Sequence, residues 1–198
     1  MPELYHKYVF DLKNRAFVGK FEEMYANEDK EGFDSWHQEN LDEPTKQISL
    51  QMIRKRRYAS ALDLGCGKGA FTNLLKGCAQ KVTGVDIAQT AIDKAKAKYK
   101  GITFIAGDSE DILGGSVSSW DLIVMMEILS YLKNWKGLIA GAARKCRYFF
   151  VSLYLPPDPI GFIKNYEELK QEIEKYFEVI DEHAVDGANY HLMAQAKG

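Results

Sequence analysis

The sequence predicts an α/β domain built on a parallel sheet that an antiparallel hairpin closes. Three observations carry that expectation. Short apolar runs alternate with helical patterns from residue 60 to residue 176, which implies right-handed βαβ units and parallel strands. The first run, Ser60-Ala61-Leu62, passes into a glycine-rich loop, Asp63-Leu64-Gly65-Cys66-Gly67-Lys68-Gly69, and then into a helical pattern through Phe71, Leu74, Leu75 and Cys78. The last two runs are separated only by Asp186-Gly187, a link that permits a hairpin and excludes a crossover helix.

The elements follow in order. Residues 4–25 carry Phe17, Phe21 and Met24 at helical spacing, with Lys and Glu between them. An acidic, glycine-containing stretch runs from Asn27 to Asp34, followed by Ser35-Trp36-His37-Gln38. Pro44 suits a first helical turn, and a second helix is expected from there to Arg57. Residues 1–57 therefore read as a helical appendage, placed to act as a lid, on a core of residues 58–198, all within one domain. In the core, strand 60–64 leads to helix 69–79 and strand 81–86 to helix 88–99. Strand 102–106 leads to a polar loop around Asp108, and strand 120–126 to helix 128–144. Strand 147–154 ends at Pro156-Pro157, and helix 165–176 precedes strands near 177–185 and 188–196.

Composition narrows the function classes. The chain has 198 residues, a formal charge of −2 and 46% hydrophobic residues, which fits one α/β domain. Near-neutrality argues against nonspecific nucleic-acid binding, which rests on phosphate neutralisation by Lys and Arg. The one dense basic run, Arg54-Lys55-Arg56-Arg57, suits a helix C-terminus. Cys66, Cys78 and Cys146 are widely spaced and show no metal-binding pattern, so reduced thiols and a cytoplasmic location are expected. No run resembles a signal peptide or a membrane span. The oligomeric state is left open.

In open parallel sheets, ligands bind beyond the carboxyl ends of the strands. Those ends are acidic here: Asp63, Asp86, the Gly107-Asp108-Ser109-Glu110 stretch, and Glu127. Asp86 lies about 20 residues after the glycines, where a carboxylate can accept from both ribose hydroxyls. Gly65-x-Gly67-x-x-Ala70 also satisfies a loose dinucleotide pattern. Charge decides between the two readings. The pyrophosphate of NAD would lie beside Asp63, and like charges 4 Å apart cost roughly 4 kcal/mol at an effective ε of ~20. S-adenosylmethionine has no phosphate. Its sulfonium and ammonium suit Asp63, and its carboxylate could use N–H groups of the loop. Each acid also has a plain structural reading, Asp63 as a turn former, Asp86 as the cap of helix 88–99 and Asp108 as a turn residue. Their conjunction at successive strand ends favours a ligand.

A family resemblance emerges from these same residues. Ala61-Leu62-Asp63-Leu64-Gly65-Cys66-Gly67-Lys68-Gly69 resembles the first, glycine-rich motif of class I S-adenosylmethionine-dependent methyltransferases. Gly84-Val85-Asp86-Ile87, with Ala91 and Ala95, resembles the second motif, Gly107-Asp108 the third, and Trp120-Asp121-Leu122-Ile123-Val124 the fourth. The resemblance covers roughly residues 58–155. It implies a Rossmann-like, doubly wound, seven-stranded sheet, mostly parallel, with an antiparallel strand in its C-terminal hairpin. It implies that Asp63, Gly65 and Gly67, with Cys66 between them, hold the methionine part of the cofactor. By the same resemblance Asp86 holds the ribose and Asp108 with Ser109 the adenine; Ile87 and Glu127 are further cofactor-binding candidates. Glu127-Ile128-Leu129-Ser130-Tyr131-Leu132 is similar to the stretch after the fourth motif in small-molecule methyltransferases. That stretch and the Trp36 region are loosely similar to the nodulation-factor N-methyltransferase group.

Methyl transfer needs alignment more than acid–base chemistry, because the sulfonium leaving group is already activated. Proximity and orientation can supply ~7–11 kcal/mol. Glu127, Tyr131 and His37 are the candidate catalytic residues, with Tyr154 also near. Their bland alternatives are a helix-end acid, a packed core ring and a surface histidine. Trp36 could pack against the cofactor or the core. The Asn/Asp-Pro-Pro-Tyr motif of nucleobase and glutamine N-methyltransferases is absent after strand 120–126, where Met125-Met126-Glu127-Ile128 stands. A small-molecule acceptor methylated at N or O is the expectation, with the 156–165 loop beside its pocket. The alternatives are an NAD(P)-dependent oxidoreductase and a noncatalytic S-adenosylmethionine-binding module.

Overall fold

The computed structural model describes residues 3–115 and 119–197. Its N-terminal part is less helical than the spacing predicts. A single-turn helix α1 (His6–Val9) leads into a small hairpin of β1 (Phe10–Asp11) and β2 (Ala16–Phe17), and only then comes α2 (Phe21–Glu31). Local hydrogen bonding breaks the helix expected over 4–25. The Asp11 carboxylate accepts from the N–H groups of Lys13 and Asn14, both at 3.0 Å, and so offers the backbone a turn instead. Phe17, Phe21 and Met24 still meet in one apolar cluster, because the hairpin folds back on α2. In turn, α2 runs through Asn27–Glu31 of the acidic, glycine-containing stretch and stops at Gly32. Then α3 (Pro44–Arg54) starts at the proline and ends at Arg54, short of Arg57.

The core alternates as expected, through β3 (Tyr58–Leu64), α4 (Ala70–Leu75), β4 (Ala79–Asp86), α5 (Gln89–Lys98), β5 (Thr103–Ala106) and α6 (Ser109–Gly114). It continues with β6 (Trp120–Met126), α7 (Trp135–Ala143), β7 (Cys146–Tyr154), α8 (Tyr166–Glu174), β8 (Phe177–Val185) and β9 (Asn189–Ala196). Three elements differ from the expectation. The helix read over 69–79 ends at Leu75, with β4 already starting at Ala79. The polar loop around Asp108 is α6, with Asp108 as its cap. The helix expected from 128 to 144 is a single 3-10 turn at Leu129–Tyr131, an extended Leu132, and then α7.

The seven strands are ordered β5-β4-β3-β6-β7-β9-β8. Pairings are parallel except at β9, which runs against both β7 and β8. The order reverses between β3 and β6, so the ligand crevice of such a sheet opens above these strands. Strand β6 shows why the sheet is central. Leu122, Ile123, Val124 and Met125 are all buried, as in a parallel strand covered on both faces. Leu122 and Val124 pack with Met52 and Ile53 of α3, whereas Ile123 and Met125 pack with Leu138 and Ile139 of α7. The fold is the mixed, Rossmann-like seven-stranded one that the sequence predicts.

Candidate active site

A cavity of about 950 Å³ lies at the carboxyl ends of the central strands. Gly65 and Cys66 of the glycine loop line it, whereas Gly67, expected at the cofactor, lies against Gln38 instead. Gly65 and Gly67 hold φ of 73° and 53°, a region that favours glycine. A Cβ at Gly65 would stand 2.2 Å from Ile128 Cγ2, and one at Gly67 2.4 Å from Gln38 Oε1. The close neighbours of both glycines are thus side chains of the protein itself.

The loop amides correct one expectation. The N–H groups of Gly65 and Cys66 donate to the Val85 carbonyl, and that of Gly69 to the Cys66 carbonyl. Gly67 N–H donates to Asp86 Oδ2 at 2.8 Å, and Lys68 N–H to Gln38 Oε1 at 2.8 Å. From Gly65 to Gly69 every main-chain donor is already bonded within the chain, so a cofactor carboxylate finds no free loop N–H there.

The strand-end acids line the cavity as predicted, and each also has a structural bond. Asp63 is 3% exposed and accepts from the Thr72 hydroxyl at 2.7 Å. Burial pushes its carboxyl up to about 7, against the Thr72 hydrogen bond and with help from the charge of Asp86. Asp86 accepts from Gly67 N–H and, at 2.9 Å, from Ala88 N–H; it faces the cavity and ties down the turn before α5, but it is not the cap the sequence suggested, since Ala88 holds that position. Burial raises its pKa, and those two N–H donors oppose the rise. Asp108 caps α6 by accepting Glu110 N–H at 2.6 Å, with Ser109 beside it on the cavity wall. Ile87 presents a 61% exposed apolar side chain at the same edge, while Cys66 is buried. The cations among the described cavity-lining residues are Arg15 and Lys46, each already paired with an acid, Asp158 and Glu43.

Glu127, at the end of β6, has the left-handed φ of 58°. Its two carboxylate oxygens accept from the Ser152 hydroxyl at 2.8 Å and from Tyr154 N–H at 2.6 Å. Burial lifts its pKa, and these two donors restrain the rise. Tyr131 forms part of the cavity wall and also stacks on Phe17, with ring centroids 5.8 Å apart and planes within 10°. Its core-packing and site readings therefore coincide. Trp36 packs against Tyr5, Phe21, Tyr25 and Tyr131 and faces the same cavity. His37 sits exposed on the rim, with Nε2 3.7 Å from Glu3. Sequence reasoning missed Gln38, Tyr25 and Lys46. The missed signal was their place in the segment around Trp36, whose carbonyls at His37 and Asn40 accept from Lys46 Nζ.

Backbone strain converges on this site. Among the described residues, the non-glycine positions with positive φ are Arg15, Trp36, His37, Glu127 and Asp186, and all of them line the cavity. Arg15 and Asp186 lie in hairpin connections. Trp36, His37 and Glu127 have no such excuse, and strain of this kind clusters at ligand sites.

The fold, the glycine loop and the acid-ended strands resemble those of the class I S-adenosylmethionine-dependent methyltransferase superfamily. Residues 61–148 match the family model described as a methyltransferase domain. It is 34% identical to nodulation protein S of Bradyrhizobium diazoefficiens over 133 residues, covering 64% of this chain and 60% of that protein. It is 30% identical to the ubiquinone biosynthesis O-methyltransferase of Burkholderia vietnamiensis over 142 residues, covering 70% of this chain and 54% of that protein. The match thus spans 60% of the length of nodulation protein S from Bradyrhizobium diazoefficiens, and 37% of that from Rhizobium tropici. Among solved structures, the N-methyltransferase NodS of Bradyrhizobium japonicum WM9 with S-adenosyl-L-homocysteine aligns with a TM-score of 0.66 at 19% identity, over 80% of this chain and 91% of that one. Magnesium protoporphyrin IX methyltransferase of Synechocystis with bound S-adenosylmethionine aligns with a TM-score of 0.58 at 19% identity, over 81% of this chain and 80% of that one. These two likenesses concern the fold.

The residues present fit the cofactor of that superfamily. The cavity is roomy enough for a nucleoside-sized ligand and an acceptor. Its acids suit a ligand that carries cations and no phosphate.

Proposed function

We propose that this chain transfers a methyl group from S-adenosylmethionine to N or O of a small-molecule acceptor. The observation that carries the reading is the pairing of acid-ended strands with a fully bonded glycine loop. Asp63, Asp86 and Asp108 bring no positive charge, and the loop from Gly65 to Gly69 has no main-chain donor to spare. A pyrophosphate needs the opposite on both counts. The oxidoreductase reading therefore loses ground.

When bound, S-adenosylmethionine supplies an activated methyl group. In this reading Asp63 faces its cationic amino-acid end, Asp86 accepts from the ribose hydroxyls with its remaining lone pairs, and Asp108 and Ser109 meet the adenine. The exposed face of Ile87 offers the adenine ring an apolar surface. Glu127 and Tyr131 shape the acceptor side. Glu127 is held by two donors and can take a proton from an attacking hydroxyl, or from an acceptor ammonium before the resulting amine attacks. His37 has the same capacity on the rim. Trp36 and its neighbours cover the site and exclude water, which is the lid role read for residues 1–57.

Isothermal titration with S-adenosylmethionine, S-adenosylhomocysteine and NADH tests the reading. Selective micromolar binding of the first two is expected. Binding of NADH alone overturns it. Methyl transfer to any acceptor in a radiolabel screen then separates the enzyme from a noncatalytic binding module.

A further inference from the structure

Lys68 is the glycine-loop side chain that the cofactor reading leaves without a task. It follows Gly67 directly, yet only 7% of it is exposed. Its ammonium lies 2.6 Å from Asp34 Oδ1 and 3.1 Å from Glu28 Oε1. Both acids lie in the N-terminal segment, outside the sheet. Glu28, itself 2% exposed, is the hub of the contact. It also accepts from Ser35 N–H at 2.9 Å and from Lys94 Nζ of α5 at 3.1 Å.

The main chain repeats the link. Lys68 N–H donates to Gln38 Oε1, and Gln38 Nε2 donates to the Tyr25 hydroxyl at 2.8 Å. Lys68 thus grips the segment from Glu28 to Gln38 at two points. That segment carries Trp36 and His37 into the cavity wall with their left-handed backbones, and Gln38 completes the wall.

The energetics favour two states. A buried ammonium is costly unless its partners stay with it, and removing one partner alone leaves an uncompensated charge. If the whole segment lifts away, however, Lys68, Asp34 and Glu28 return to water together and the charges are hydrated. A half-open arrangement is the expensive one.

We propose that Lys68 and Gln38 are positioning residues of a lock that clamps residues 28–38 onto the glycine loop, so that the cofactor enters and leaves only when the clamp opens. The proposal rests on the reading of the cavity as an S-adenosylmethionine site.

The test uses the full chain. Dissociation of S-adenosylhomocysteine is followed by stopped-flow tryptophan fluorescence. Amide hydrogen exchange of residues 34–38 is followed separately without ligand. Lys68→Met keeps the aliphatic stem and removes the charge, Asp34→Asn weakens one contact, and Lys68→Arg restores the charge. Dissociation is expected to speed up about tenfold or more in Lys68→Met, less in Asp34→Asn, and to return towards the parent rate in Lys68→Arg. Exchange at 34–38 should accelerate in step, with β3 and β6 unchanged, which a general loss of stability would not produce. Should Lys68→Met fail to fold, Lys68→Met with Glu28→Gln takes its place. An unchanged dissociation rate and unchanged exchange in folded variants overturn the lock and leave the cofactor reading standing. A parent chain that takes up no S-adenosylhomocysteine overturns the cofactor reading and the lock with it.

Discussion

Asp86 accepts a 2.8 Å hydrogen bond from Gly67 N–H, so the end of β4 holds in place the loop that leaves β3. Its other oxygen accepts from Ala88 N–H in the turn that leads into α5. One carboxylate fixes loop, strand and helix around the same wall of the cavity.

Asp86→Ala should therefore act twice. Two buried donors lose their acceptor, at ~1–3 kcal/mol each. The expected outcome is at least about tenfold weaker S-adenosylmethionine binding together with a lower Tm, read by calorimetry and thermal unfolding. Asp86→Asn keeps one acceptor oxygen and should fall between the two. Unchanged affinity in a folded Asp86→Ala chain would remove the ribose assignment.

Asp63 makes cofactor binding pH-dependent. Burial pushes its carboxyl up to about 7, so the empty site is protonated below that value and ionised above it. Cationic groups on the ligand favour the ionised form, and binding drives the proton off. Affinity should rise with pH from about 6 to about 8, with release of about half a proton near neutrality. Calorimetry in buffers of different ionisation enthalpy counts that proton. Asp63→Asn should abolish the release, and persistence of it there would assign the titration to another group.

Glu127→Gln tests the acceptor side. The amide cannot accept a proton, and its NH2 group faces one of the donors that Ser152 and Tyr154 supply. Turnover should fall ~10²–10⁴-fold if Glu127 removes a proton in the rate-limiting step, with cofactor affinity nearly unchanged. Equal turnover of variant and parent counts against the role.

His191 should make the fold acid-sensitive. It is 1% exposed on β9, its Nδ1 stands 3.0 Å from the Ser49 hydroxyl, and its buried Nε2 has no hydrogen-bond partner. Burial, aided by His183, lowers its pKa from 6.5 to about 4. The unfolded chain thus binds a proton that the folded chain refuses. Its contribution is full above about 6.5 and is lost as pH falls from there to about 4, amounting to about 2 kcal/mol near pH 5. Urea unfolding near pH 7.5 and near pH 5 measures the difference. His191→Gln should shrink it, and an equal loss in the variant would trace the acid sensitivity to other groups.

The sheet was legible because its signals are local. The apolar run of β6 and the two-residue break at Asp186-Gly187 each announce their element within a few residues. The strand-end acids were legible for the same reason, since sheet topology alone brings Asp63, Asp86, Asp108 and Glu127 to one edge. The N-terminal hairpin was not, because the spacing of Phe17, Phe21 and Met24 suits a helix and equally a turn that returns those rings to one cluster. Gln38 and Lys68 were hidden by distance. Their partnership joins positions 30 residues apart, and neither composition nor period records which side chain will complete a loop amide.

The left-handed backbones at Trp36, His37 and Glu127 bear on how this chain could change under selection. Each conformation costs of order 1 kcal/mol or more in a residue with a side chain, and glycine would relieve it. A population screened for heat resistance alone should drift towards glycine at these positions. In doing so it would discard the indole, the imidazole and the carboxylate that face the cavity. Endurance and ligand contact pull apart there, because the change that relieves the backbone removes the side chain that lines the cavity.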